Sequence, residues 1–192
     1  MKILLLGPQG SGKGTQATRI SDEFGLAHIA TGVMLRDAIA ARTPLGLEVK
    51  PIVERGELVP DGLMIGLIRE RLDDEDTREG FVLDGFPRTM AQAEALDAML
   101  GEIGRELDIV FELQIDDAVA VERLAKRALA EGRTDDTPEA IATRLAEYHD
   151  KTEPLVGYYR LRGNLVGVHA ESSIDEVFGE IQEALQTVAA RS

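Results

Sequence analysis

Three observations predict an α/β domain on a parallel sheet of about five strands, with helices covering both faces. Short apolar runs recur at Ile3–Leu6, His28–Ala30, Phe81–Leu83, Val110–Ile115 and Leu165–Val168, and read as strands buried on both faces. Stretches with helical spacing lie between them, at Thr15–Phe24, Leu63–Leu72, Ala91–Leu100 and Ala118–Ala130. A glycine-rich turn, Gly7-Pro8-Gln9-Gly10-Ser11-Gly12-Lys13, joins the first run to the first helix. In sheets of this kind ligands bind beyond the carboxyl ends of the strands.

Composition narrows the class further. With 192 residues, 44% of them apolar, a single domain with a sizeable core is expected. The 35 acidic and 21 basic residues leave a net charge of −14, which argues against broad binding to nucleic acid or an anionic membrane. Cysteine is absent, so disulfides and thiolate metal sites are excluded. The N-terminal aliphatic run is far too short for a bilayer span or a secretion signal, and the plain expectation is a cytoplasmic protein.

The first strand hands over to glycines that add almost no apolar surface and lose the most backbone freedom on folding. Their strand–loop–lysine–helix context is that of a P-loop. Backbone N–H groups there curl around phosphate oxygens, the helix N-terminus adds partial positive charge, and Lys13 reaches the terminal phosphates. A ligand-free tight turn is the bland alternative. Gly14 stands where many GTPases and ATPases carry a magnesium-ligating hydroxyl, and Thr15 follows one later.

After the second strand, Thr31 to Asp61 holds two helix-like pieces and a Gly56–Asp61 turn, with no strong strand signal. Insertions placed like this tend to be movable lobes over a cleft. The third strand ends in Asp84-Gly85-Phe86-Pro87-Arg88. A carboxylate there can hold Mg²⁺ through water beside the phosphates, and Arg88 offers a fork for bidentate phosphate recognition. Read alone, the stretch is also a strand, a Gly-Pro turn and a surface arginine.

Further on, Arg123 and Arg127 lie four apart on one helical face, which read alone is a solvated face. The polar stretch Glu131–Pro138 carries Arg133, and Thr137, Pro138 and Glu139 mark the start of a helix that bears Arg144. Ser173 and Glu176 form a capping box for the last helix. His28 is expected in a strand, His149 on a helix face and His169 after the final strand, none of them catalytic.

GPQGSGKGTQ, ATGVMLR, GELVPD, VLDGFPRT with Gln92, and GRTDDTPEAIATRL together resemble the adenylate kinases in their short-lid form, over essentially the whole chain. The resemblance implies one domain over 1–192, with a helical monophosphate-binding insertion at 30–60 and a short lid at 126–137. It implies reversible transfer of the γ-phosphoryl group of Mg·ATP to AMP, giving two ADP, by a monomer needing Mg²⁺ and no zinc. By resemblance, Gly10, Ser11, Gly12, Lys13, Gly14 and Thr15 bind the ATP phosphates. Arg123 and Arg127 approach the ATP and the phosphates when the lid closes, and the backbone near Ser172 meets the ATP adenine. Thr31, Arg36, Glu57, Leu58, Val59, Gly85, Phe86, Pro87, Arg88 and Gln92 line the AMP pocket. Lys13, Arg88, Arg133 and Arg144 form the catalytic set, Arg133 and Arg144 reaching AMP as well, with Asp84 on the metal. Asp135 and Asp136 help to fix the lid.

Two departures stand out. Val33 replaces an aspartate common in the family, and HAESS replaces a glycine-bearing turn after the last strand. The rival within the class is a UMP/CMP kinase, against which Thr31 and Gln92 weigh. The rival outside it is a non-catalytic nucleotide-binding module. No Asn-Lys-x-Asp sequence for guanine recognition is present.

Overall fold

Aliphatic side chains at nearly every position of the first run need cover on both sides, and neighbouring strands and helices supply it. In the computed structural model, which describes residues 1–133 and 135–190, β1 (Lys2–Leu6) is the middle strand of a five-stranded sheet. Thr134, inside the expected lid segment, lies outside the described residues. The chain leaves β1 for α1 (Lys13–Phe24) and returns as β2 (Ala27–Ala30). It then runs through α2 (Thr31–Ala40), α3 (Pro44–Glu54) and α4 (Asp61–Leu72) into β3 (Phe81–Asp84). Next come α5 (Met90–Glu102), β4 (Ile109–Gln114), α6 (Asp117–Glu131) and α7 (Pro138–Glu147). A π-helical turn at Tyr148–Thr152 leads to α8 (Pro154–Leu161), β5 (Leu165–His169) and α9 (Ile174–Ala189).

All the pairings are parallel, and the strand order is β2-β3-β1-β4-β5. Leu5 sits opposite Asp84 on one side and Phe111 on the other. The winding therefore reverses at β1, and a crevice opens at its carboxyl end, where the glycine loop sits. The strand period of two divides the core. Leu4, Leu6, Leu83 and Val110 pack with α4, α5 and α8, whereas Ile3, Leu5, Val82 and Phe111 pack with α1 and α9. Ala120, Leu124, Ile141 and Leu145 form a third, separate apolar seam between α6 and α7.

Helix boundaries follow their caps. The Thr43 and Thr137 hydroxyls accept from the N–H groups of Gly46 and Ala140, and the Ser173–Glu176 box forms in full. The first helix starts two residues earlier than its pattern suggests, because Gly12 caps it from a left-handed conformation. His169 closes β5 rather than following it, since the ladder continues to its pairing with Gln114. Among the described residues, no helix is long and apolar enough to cross a membrane.

Candidate active site

A cleft of about 850 Å³ opens at the carboxyl ends of the central strands. Its floor is the glycine loop, from Gln9 to Thr15. The glycines of the loop differ in what they make room for. A Cβ on Gly7 would lie 2.6 Å from the Leu113 carbonyl oxygen, and one on Gly10 would lie 2.7 Å from that of Ala120. Those two glycines admit the chain's own backbone, at the end of β4 and on α6. Gly12 differs: its φ is +91°, and a Cβ there would meet nothing within 4 Å. It turns the backbone so that the first amides of α1 face the open cleft.

Lys13 Nζ donates to the Gly7 and Pro8 carbonyls at 2.6 and 2.8 Å. Burial lowers its pKa to about 8; Asp84 opposes the shift, and Arg88 and Arg127 add to it. The lysine is thus a cation short of solvation, held at the floor by dipoles. The Ser11 hydroxyl beside it is buried without a hydrogen-bond partner.

At the end of β3, the Asp84 carboxylate lies 4.0 Å from His28 Nε2. His28 is in β2 as expected, and it also lines the cleft, where burial pushes its pKa down against the pull of Asp84 and Asp22. Among the described residues no group of three or more metal-ligating side chains exists. One carboxylate suits an Mg²⁺ that keeps its waters and arrives on phosphate oxygens, not an ion held by protein alone. Gly85 then turns the chain at φ +86°, where a Cβ would come within 2.5 Å of the Thr31 hydroxyl and 3.1 Å of Arg88 Nη2. Arg88 Nε donates to the Gly85 carbonyl at 2.8 Å, which fixes the plane of the guanidinium. The arginine's pKa is lowered first by burial; Asp84 resists, while Arg144 and Arg36 add to the lowering.

Two residues expected at the monophosphate pocket do not line the cleft. Phe86 is 1% exposed and packs into the core with Leu4 and Leu83, and Pro87 borders a small void behind the loop. The turn at Gly85 sends Arg88 to the cleft and Phe86 inward.

The other expected residues do line the cleft. Thr31 is buried, and its hydroxyl donates to the Asp84 carbonyl at 3.3 Å. Arg36 lies over Gly32, and burial lowers its pKa, reinforced by Arg133, Arg127 and Arg144 and opposed by Asp135. Glu57, Leu58 and Val59 form the turn into α4, with the Glu57 carboxylate engaged by Arg55 in two bonds of 2.7 Å. Gln92 is 2% exposed, with both ends of its amide hydrogen-bonded. Val33, in place of the usual acid, stands half-exposed on the wall.

Arginines close the cleft from the side of α6 and α7. Arg123 donates to the carbonyls of Ala170 and Glu171 at 2.7 and 3.2 Å, which brings it beside Ser172. Arg127 grips Asp136 with two bonds, of 2.8 and 2.9 Å. Arg144 binds Asp135 at 2.8 Å and also Asp136, whose side chain is fully buried. Arg133 pairs with Glu131 at 2.6 Å. Arg144 Nη2 also approaches the Val53 carbonyl at 3.5 Å, so α7 touches the insertion across the cleft mouth. Beyond the effect of burial, neighbouring arginines lower the basicity of Arg36 and of Arg88, with Arg144 acting on both, the signature of cations converging on a space that suits polyanions.

Sequence reasoning misses several contributors. Met64, Leu35 and Val53 give the cleft apolar walls, visible in sequence only as ordinary helix positions. Asp61 ends the GELVPD stretch, but nothing there signals its contact with Gln92, which joins residues 31 apart.

Comparison with known proteins gives a consistent result. A family model described as Adenylate kinase matches residues 5–164. A protein named Adenylate kinase from Xanthomonas euvesicatoria pv. vesicatoria (strain 85-10) is 50% identical over 185 residues, covering 96% of this chain and 99% of that protein. One of the same name from Methylobacterium nodulans is 49% identical over 192 residues, covering 97% of this chain and 96% of that protein.

Proposed function

The chain belongs to the adenylate kinase family and transfers a phosphoryl group between ATP and AMP, and from that premise we propose how its own residues do so. One cleft holds a phosphate loop at one end, a buried amide and Arg36 at the other, and arginines between. That continuity is the observation that carries the proposal. Two anionic nucleotides placed tail to tail repel each other, and the arginines offset the repulsion.

Gly10 to Thr15 hold the ATP phosphates, with Lys13 on the terminal pair. Arg123 and the backbone near Ser172 face the adenosine. Asp84 would hold the Mg²⁺ that arrives as part of Mg·ATP, an ion that would offset phosphate charge. Arg36 and Arg88 clamp the AMP phosphate, Thr31 and Glu57–Val59 wall its base, and Gln92 reads the adenine edge. An AMP phosphate oxygen attacks the γ-phosphorus as the bond to the β–γ bridging oxygen breaks, and that oxygen leaves with its electron pair on ADP. The nucleophile is already anionic, so no histidine base is required. Lys13, Arg88, Arg133 and Arg144 neutralise charge spread over the transferring group.

The segments 30–60 and 126–137 move over the cleft on this reading. Lid closure, of which adenylate kinases are themselves a standing example, is supported here by the separate α6–α7 seam and the contact of Arg144 with Val53. The protein is read as a monomer working in the cytoplasm, where its substrates are.

The test is coupled detection of ADP from ATP plus each monophosphate in turn. AMP should be the preferred acceptor. Preference for UMP or CMP would instead assign a pyrimidine kinase, and no turnover with any acceptor a binding module.

Lys13 adds a pH prediction. In the free protein its charge is lost as pH rises through about 8, so kcat/KM for Mg·ATP should fall above that point. At saturating nucleotide the phosphates restore the charge, and the limb in kcat should move to higher pH. A flat kcat/KM profile up to pH 9.5 would remove Lys13 from the phosphate site.

A further inference from the structure

The polarity of the Gln92 amide is set from two sides. The Arg88 backbone N–H, a donor only, bonds Gln92 Oε1 at 2.8 Å. Asp61 Oδ1, an acceptor when ionised, takes the Gln92 Nε2–H at 2.8 Å. Both partners demand the same orientation, so a flipped amide would set donor against donor and oxygen against oxygen. Asp61 is itself held: it lies in the first turn of α4, and its Oδ1 also accepts from the Thr89 hydroxyl at 3.0 Å. Thr89 in turn caps α5, taking the Gln92 N–H at 3.2 Å. Gln92 lines the cleft and Asp61 stands behind it, outside the lining.

After these bonds the amide keeps one lone pair on Oε1 and one hydrogen on Nε2. A 6-aminopurine edge offers N6–H as donor and N1 as acceptor, which matches one of each. A 6-oxopurine in the same pose offers O6 as acceptor and N1–H as donor, and each meets its like. It could be accepted only if the amide flipped. We propose that Asp61 is a positioning residue for purine selection: by locking the polarity of Gln92 it makes the site favour 6-aminopurine over 6-oxopurine monophosphates. The inference rests on the reading of Gln92 as the base-recognition residue of the AMP site.

The step from geometry to selectivity follows from buried hydrogen bonds. A site built to pair a given donor and acceptor rejects an analogue with the two exchanged, because its own buried groups are left unpaired. That rejection is only as strong as the resistance of the amide to turning over. The Arg88 N–H supplies one part of the resistance and Asp61 the other.

The test compares AMP with inosine monophosphate as acceptors in wild type, Asp61→Asn, Asp61→Leu and Gln92→Ala. Asparagine keeps the shape but can present either an oxygen or an NH₂, and leucine can present neither. In both Asp61 variants the ratio of kcat/KM for AMP to that for inosine monophosphate should fall about tenfold, as expected for loss of a part-buried charged partner. The fall should come chiefly through KM for AMP, with KM for ATP unchanged. A purely structural role would lower the melting temperature and leave the ratio alone, and that result overturns the inference. Should Gln92→Ala lose the preference while both Asp61 variants retain it, Asp61 is eliminated and the AMP-site reading survives. Should Gln92→Ala also keep the preference, the AMP-site reading itself fails.

Discussion

Replacing Lys13 with alanine should lower turnover by about 10³-fold while leaving a folded, cooperatively melting protein. The size of the loss follows from what the lysine faces. Phosphoryl transfer offers a protein little covalent chemistry to assist, so its rate is set by positioning and by charge neutralisation. Lys13 is the cation on the cleft floor, 2.6 and 2.8 Å from two carbonyls of the loop that holds it in place. The fold should tolerate the change because the charge is not a stabilising one. Burial pulls its pKa from 10.5 to about 8, which means the folded state disfavours the ammonium that neutral pH imposes. The sign is that of a depressed base. Between pH 8 and 10.5 the unfolded chain binds more protons, so the residue's contribution to stability rises with pH there, and below pH 8 its charge is a standing cost. Removing it relieves that cost against the loss of two hydrogen bonds, and the melting temperature at pH 7 should change little. The measurements are kcat with saturating nucleotides and a thermal melt. Activity above a tenth of wild type would mean that the loop binds something other than the transferring phosphates.

Sequence legibility tracked how local each contact is. The glycine loop, the Asp84–Arg88 turn and the four side-chain caps are contiguous, and their chemistry is visible within a few residues. The five apolar runs read as one parallel sheet because both-face burial leaves a period-free signature, although nothing within the runs fixes the strand order. Contacts that cross the fold left no trace. That Gly7 and Gly10 make room for Leu113 and Ala120 could not be inferred, since a glycine cleared for backbone looks the same as one cleared for phosphate. Phe86 went to the core because the turn at Gly85 decides which way its neighbours point, and a motif does not encode direction. The lid arginines were legible as a set, but their partners were not fully so. Asp136 serves both Arg127 and Arg144, an arrangement that exists only once the loop folds back between α6 and α7. Asp61 is the extreme case, an ordinary helix-start acid until Gln92 is placed beside it.

Arg88→Ala is the second large effect, a loss of about 10²-fold or more in kcat with a smaller change in KM for ATP. The guanidinium differs from a surface charge in three respects. Its plane is fixed by the bond from Nε to the Gly85 carbonyl, which leaves the two Nη groups directed as a fork. It shares its surroundings with Arg36 and Arg144, which lower its pKa, so the apoprotein holds mutually repelling cations whose repulsion a phosphate relieves. Its backbone is held as well, the N–H by Gln92 and the carbonyl by the Thr152 hydroxyl at 2.8 Å, so an alanine there keeps the chain in register. The deficit should therefore lie in the chemical step, not in folding. Lysine at this position would restore the charge without the planar fork, and Arg88→Lys should recover only part of the loss. Because the cluster repels itself, the alanine variant should melt no lower than wild type in the absence of nucleotide, and should gain less stability on adding AMP. A loss of only a few-fold, or equal stabilisation of both proteins by AMP, would place Arg88 at the rim of the site and leave Arg36 and Arg144 as the phosphate clamp.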